Sequence, residues 1–253
     1  MDVVDLQVLL DNEAERINSP AFIESDPVQF PRRFSEIKDV EAVSLLVSTI
    51  SWGNRKMICR NCDRLLSMLA DDPARFILEG AYELIPDEEN IHRTFFGRNL
   101  KFWCRGLKAI FEKYGSVEGL AAYIKAGDSE YPAWELASGL QKELSVANGN
   151  NTDSRCLPVN IKSSALKRLN MALRWLVRND GIVDMGLWKE IKPSQLFIPL
   201  DIHVSEISRE LGLLNRKSND KKAVVELTTS CRRFCPSDPA KYDFALFGIG
   251  MGL

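Results

Sequence analysis

The sequence predicts an all-α protein. Apolar residues recur at three- and four-residue spacing along most of the chain, no stretch alternates for the length of a strand, and helix-capping and helix-stopping residues bracket the periodic segments. The first segment, MDVVDLQVLLDNEAERI, reads as an acidic amphipathic helix, without the basic start and apolar core of a secretory signal. A loop marked by Pro20, Pro27 and Pro31 follows. DVEAVSLLVSTISWGNRK then reads as a buried helix with Ala42, Leu45, Leu46, Thr49 and Ile50 on one face, Asp39 as its cap and Gly53 as its stop. A helix through Met57–Leu69 ends at Asp71-Asp72-Pro73. Further helices are expected near 74–79, 99–114, 116–126 and 132–145.

SVANGNNTDSRCLP, 145–158, reads as a linker, rich in Asn, Gly and Ser. Beyond it lie a helix near 164–178, a loop around VDMGLW, the segment IPLDIHV with its helix to Leu211, and helices near 219–233 and 239–250. This divides the chain into 1–38, an N-terminal helix and loop able to pack onto the last section; 39–150, a helical subdomain; and 151–253, a second one.

Composition narrows the class. Hydrophobic residues make up 45% and charged residues 27%, and no run approaches the roughly 18 apolar residues of a membrane span. A cytoplasmic monomer with no membrane partner is expected. The net charge of −2 hides an asymmetry: residues 1–154 hold 17 Lys and Arg against 25 Asp and Glu, and residues 155–253 hold 16 against 10. The basic half suits a phosphate-binding face, although such asymmetry is also common in helical proteins. Six cysteines include the close pairs Cys59/Cys62 and Cys231/Cys235. Neither His92 nor His203 stands at ligand spacing from them, so no metal or other cofactor is expected and the cysteines read as reduced thiols.

One segment points to chemistry. In IPLDIHVSEISRELG, Pro199 breaks what precedes, Val204, Ile207 and Leu211 form a helical stripe, and Gly212 is a stop. Asp201 is therefore a helix cap. Such an Asp is most often only a cap, worth about 1 kcal/mol. The position also suits a catalytic carboxylate, because the helix end fixes it and favours negative charge.

IPLDIHVSEISRELGL resembles the (V/L)D-x-H-V…R-x-LGL stretch of the helix-hairpin-helix DNA glycosylase superfamily. The resemblance implies two helical subdomains flanking a cleft, with Asp201 as the catalytic carboxylate and Arg209, Leu211 and Gly212 in the helix that follows. His203 matches the motif's His, with a packing role. VEAVSLLVSTISWGN is similar to the superfamily's early buried helix and its wedge loop. That likeness implies DNA contacts for Asn54 and Arg55, with Trp52 as a second wedge candidate. KYDFALFGIG resembles the helix that borders the base pocket in oxoguanine-type members, which implies pocket roles for Asp243 and Phe244. KRLNMALRWLVR and IPLDIH are most similar to strings of an uncharacterised bacterial family within or near this superfamily.

A bifunctional member also needs an amine. In SSALKRLNMALRWLVRND, Ser163 or Ser164 caps the helix, and Leu166, Leu169, Leu173 and Leu176 form its buried stripe. Lys167, Met171, Arg174 and Arg178 fall on another face, a mostly basic ridge that reads equally as solvated surface. The resemblance makes Lys167 the amine, with Lys162 second, and gives DNA contacts to Lys162, Ser163, Ser164 and Arg174. Two departures stand out. Where the superfamily has a Gly-x-Gly hairpin, this chain reads Ile161-Lys162-Ser163-Ser164-Ala165-Leu166. The spacing from Lys167 to Asp201 is also longer than usual, and the extra stretch carries Trp188, which either stacks on a base or packs inward. The four-Cys run that holds an iron–sulfur cluster in some members is absent. The expected activity is removal of a damaged base, an oxidised purine by resemblance, from duplex DNA, with strand scission possible. A non-catalytic nucleic-acid binder on the same fold and a helical protein with a small-molecule or protein partner are the alternatives.

Overall fold

The computed structural model describes residues 3–253. It is built from helices α1 (Val3–Ile17), α2 (Pro20–Ser25), α3 (Ile37–Ile50), α4 (Arg55–Met68), α5 (Pro73–Glu79), α6 (Gly97–Tyr114), α7 (Val117–Tyr123), α8 (Pro132–Ala147), α9 (Lys167–Val177), α10 (Ile202–Glu210), α11 (Lys221–Arg232) and α12 (Tyr242–Met251). The all-α class holds. An antiparallel hairpin departs from it, pairing Asn90–His92 with Phe95–Phe96 in strands too short to leave an alternating pattern. Among the described residues no helix is long and apolar enough to cross a membrane.

Two compact units emerge, one of residues 23–161 and one of residues 1–22 with 162–253. The divisions fall near 22 and 161, not at 38 and 150. The stretch that reads as a linker explains part of the difference. Asp153 accepts a hydrogen bond from Asn99 Nδ2 at 2.6 Å, and Cys156 Sγ lies 3.3 Å from the Asn99 carbonyl, so these residues are tied to α6.

Within 23–161, α3 is buried along its length from Val40 to Ile50. Its cap is Glu36, and Asp39 lies inside the first turn, where its carboxylate accepts the Ala74 N–H at 2.7 Å at the start of α5. Glu41, fully buried, accepts the Val117 and Glu118 N–H groups at 2.7 and 2.9 Å, where α7 exposes unpaired donors and positive dipole. Helix α3 stops at Ile50, before Gly53. At φ +104, Gly53 turns the chain into α4, which Asn54 caps by accepting the Met57 N–H at 3.3 Å. Helices α6 and α8 cross so closely that a Cβ on Gly106 would lie 2.5 Å from Leu144 Cγ and 3.0 Å from its Cα.

Within the other unit, α1 packs on α12, and α12 packs on α10. Two glycines allow this: a Cβ on Gly248 would strike Ile17, and one on Gly250 would press on His203 and Ile207. Tyr242 Oη donates to Asp11 at 2.9 Å, and Lys241 pairs with the same carboxylate at 2.7 Å. Helix α9 is almost entirely buried from Leu169 to Val177.

Gly106→Ala tests the α6–α8 crossing. Alanine favours the helix, but the added methyl has to displace Leu144, including its backbone. The expected net loss is about 1–3 kcal/mol of unfolding free energy by urea titration. An unchanged or raised midpoint would show that the crossing is looser than described.

Candidate active site

Asp201 is the N-cap of α10. Its backbone is extended (φ −107, ψ −170), and Oδ1 accepts the Val204 N–H at 3.0 Å. The side chain is half-buried, and its second oxygen has no hydrogen-bond partner among the described residues. The carboxylate is thus anchored through one oxygen and presents the other. Gly212 follows the helix at φ +71, as a stop should. Arg209 clasps the next loop: Nε donates to the Arg216 carbonyl at 2.9 Å, and Nη2 donates to the Lys217 carbonyl and Asn219 Oδ1 at 2.9 and 2.6 Å. The buried face of α10 is Val204, Ser205 and Ser208, not the full stripe through Leu211.

Lys167 opens α9, half-buried, with Nζ 3.7 Å from Met171 Sδ one turn on. The helix starts later than the serines suggest. Leu166 precedes it in the left-handed region at φ +50, with no side-chain cap. Ser164 instead bridges to Asp220, its Oγ accepts the Leu166 N–H at 3.2 Å, and the Ser163 carbonyl accepts the Lys221 N–H at 2.9 Å. The glycine-less hairpin therefore uses its serine groups internally. Lys162 and Ser163 keep exposed side chains.

The basic ridge of α9 is not a surface. Arg174 and Arg178 are 4% and 6% exposed and lie among four aspartates. Arg174 pairs with Asp243 and, at 3.3 Å, with Asp184, and its guanidinium stacks 4.2 Å over Phe244. Arg178 pairs with Asp180, with Asp184 at 3.1 Å and with Asp238 at 2.8 Å. Asn18 of the N-terminal segment donates to Asp180 at 2.9 Å. The carboxylates draw both arginines inward, so the assignment of Arg174 to DNA contact is corrected: it is an internal counter-ion. Asp243 and Phe244, at 5% and 1% exposed, are core residues in this conformation. Trp188 is 4% exposed, so its inward reading is the observed one, and its backbone N–H donates to the Leu176 carbonyl at 2.9 Å.

Asp243 ties the candidates together. Burial pushes its carboxyl up to about 6, and Arg174 opposes the rise. The charge of Asp201 adds to the rise, and that of Lys167 subtracts from it. Lys167, Asp201 and Asp243 therefore share one electrostatic neighbourhood within this unit. Asp184 is likewise pushed up to about 6 by burial, against Arg174 and Arg178.

The remaining candidates belong to residues 23–161. Asn54 is exposed beside its capping bond. Arg55 is partly covered and occupied, with Nη1 3.4 Å from Ser25 Oγ and Nη2 3.9 Å from Asp26. Trp52 is half-buried with its ring edge-on to His92 at 4.6 Å. All six cysteines are free thiols, and no group of three or more potential metal ligands occurs among the described residues.

Sequence reasoning misses the aspartate cluster. Its signal is present in R-x-x-x-R-N-D-G-I-V-D: two arginines one turn apart, followed at once by two aspartates. It also misses His92, fully buried between Asn61 and the Trp52 carbonyl.

The model of a family described as protein of unknown function (DUF2400) matches residues 26–252. No curated protein and no solved structure matches the chain.

Arg174→Met tests the cluster. The folded values of Asp184 and Asp243 are raised above the ordinary 3.8, so the folded state takes up protons and gains stability as pH falls from about 6 toward 4. Above that window both carboxyls are charged and need the guanidinium. The expected loss is about 3–5 kcal/mol at pH 7.5 and distinctly less at pH 5, by urea denaturation. An equal loss at both pH values would contradict the pairing.

Proposed function

The chain belongs to the DUF2400 family, and we propose that it is a DNA glycosylase with an associated lyase step, acting on a damaged base in duplex DNA. The observation that carries this reading is the shared surroundings of Asp201, Lys167 and Asp243: a carboxylate fixed by a helix N-terminus with one oxygen unused, and an amine whose charge reaches the same buried carboxyl. The likeness of IPLDIHVSEISRELGL to the glycosylase motif supports the same pair.

In this reading the Lys167 ammonium gives its proton to Asp201, because only the free amine has a lone pair to donate. That lone pair bonds to the sugar C1′ while the bond to the base breaks, and the base leaves with the electron pair. The departing base takes the surplus proton of the new C1′–ammonium, Asp201 returns its own proton to O4′ as the C1′–O4′ bond opens, and the resulting C1′=N Schiff base is what borohydride reduces. Met171 Sδ stands 3.7 Å from the Lys167 ammonium nitrogen. An oxidised purine is the proposed substrate class, from the likeness of KYDFALFGIG alone. Trp188, Asp243 and Phe244 are too covered in this conformation to offer a base surface.

A second reading, a nucleic-acid binder without catalysis, draws on the hairpin, whose Ser163 carbonyl and Ser164 hydroxyl are already engaged. Salt-dependent duplex binding with no base release across a lesion panel would favour it.

Borohydride reduction in the presence of a duplex with an oxoguanine or abasic site is expected to trap a covalent adduct. Lys167→Gln should abolish it, and Lys162→Gln should not. Asp201→Asn should slow trapping by about 100-fold or more. Asn caps a helix as well as Asp, so the variant stays folded and separates capping from chemistry. No adduct with the unaltered chain would sink the lyase step. An adduct lost only in Lys162→Gln would transfer the amine to that residue.

A further inference from the structure

We propose that Arg93, Lys56 and Arg60, in the unit of residues 23–161, form a backbone-binding edge for a phosphodiester strand. The inference rests on the glycosylase reading only in taking duplex DNA as the polyanion.

The edge starts at the hairpin. Arg93 sits at its tip with φ +51 and is exposed. Its guanidinium lies across Gly53: a Cβ there would stand 2.7 Å from Arg93 Nη1 and 3.6 Å from Cδ. Gly53, at φ +104, thus provides both the turn and the bare backbone on which the arginine rests.

A buried imidazole holds the two loops together. The Trp52 carbonyl can only accept, so His92 Nε2 carries the proton and donates to it at 2.8 Å. Nδ1 then accepts from Asn61 Nδ2 at 2.8 Å, and the Trp52 ring packs edge-on against the imidazole. Asn61 lies on α4, so hairpin tip, turn and helix are joined at one residue. Lys56 and Arg60 stand one turn apart on α4, about 6 Å along its axis, and both are exposed.

Among the described residues no carboxylate pairs with Arg93, Lys56 or Arg60, although acidic residues are close in sequence. Those acids are engaged elsewhere: Asp63 by Arg33, Glu89 by Arg64, Glu88 by Arg98, Asp87 by Lys101 and Asp26 by Arg55. Three unmatched cations on a rigid edge, in a section of chain with excess acid, are suited to exchanging small counter-ions for phosphates. A protein partner fits less well, because a specific protein interface needs an apolar core and the Trp52 ring is turned against His92.

The test is duplex binding by the full chain as a function of salt, using an undamaged duplex. Arg93→Gln should reduce the slope of log Kobs against log salt by about 1, and the triple variant Lys56→Gln/Arg60→Gln/Arg93→Gln by about 2–3. Lys142→Gln, an exposed lysine on α8, should leave it unchanged. Gly53→Ala keeps every charge but displaces the guanidinium, and should weaken binding with little further effect in the Arg93→Gln background. An unchanged slope in the triple variant overturns the proposal, as does affinity lost at constant slope, or an unaltered chain that binds no duplex at low salt. A reduced slope without a borohydride adduct would keep the edge and remove the glycosylase reading. An adduct with an unchanged slope would do the reverse.

Discussion

The buried pairing of Arg174 and Arg178 with Asp180, Asp184, Asp238 and Asp243 is the interaction on which residues 162–253 depend. Two cations face four acids away from water, and burial raises the proton affinity of Asp184 and Asp243 against the pull of the arginines. Such a cluster is weak evidence for stability, because removing charges from water costs much of what their attraction returns. Its effect is positional. The acids come from the loop after α9, the approach to α12 and α12 itself, and Asn18 brings in the N-terminal segment. Each partner lost would leave a buried charge uncompensated, which fixes these segments against α9. The same helix begins with Lys167.

Residues 23–161 use the same device with single groups. Glu41 holds the start of α7, Asp39 the start of α5, and His92 the turn before α4. In each case a polar side chain on one element satisfies backbone groups of another. Such bonds are directional, whereas apolar contacts alone tolerate sliding.

What the sequence reveals and what it hides follow from this. Asp201 is legible because a cap is local: breaker, acid and apolar stripe lie within a dozen residues. The α10 stop at Gly212 is legible for the same reason. Arg174 and Arg178 are not, because a periodic pattern sends charged residues to the surface unless their partners are known, and Asp238 and Asp243 lie some sixty residues on. Ser163 and Ser164 look like caps, but a strand-like bridge to Asp220 claims that stretch and delays the helix to Lys167. Trp188 offers no local signal to decide between an outward and an inward ring.

The cap at Asp201 separates two properties that usually change together. Its hold on α10 needs only one side-chain oxygen, which an amide supplies as well as a carboxylate. Replacing a single oxygen by nitrogen would therefore silence the charge without disturbing the architecture. A relative with Asn at this position would therefore keep the cap of α10 and differ only in the charge it presents beside it.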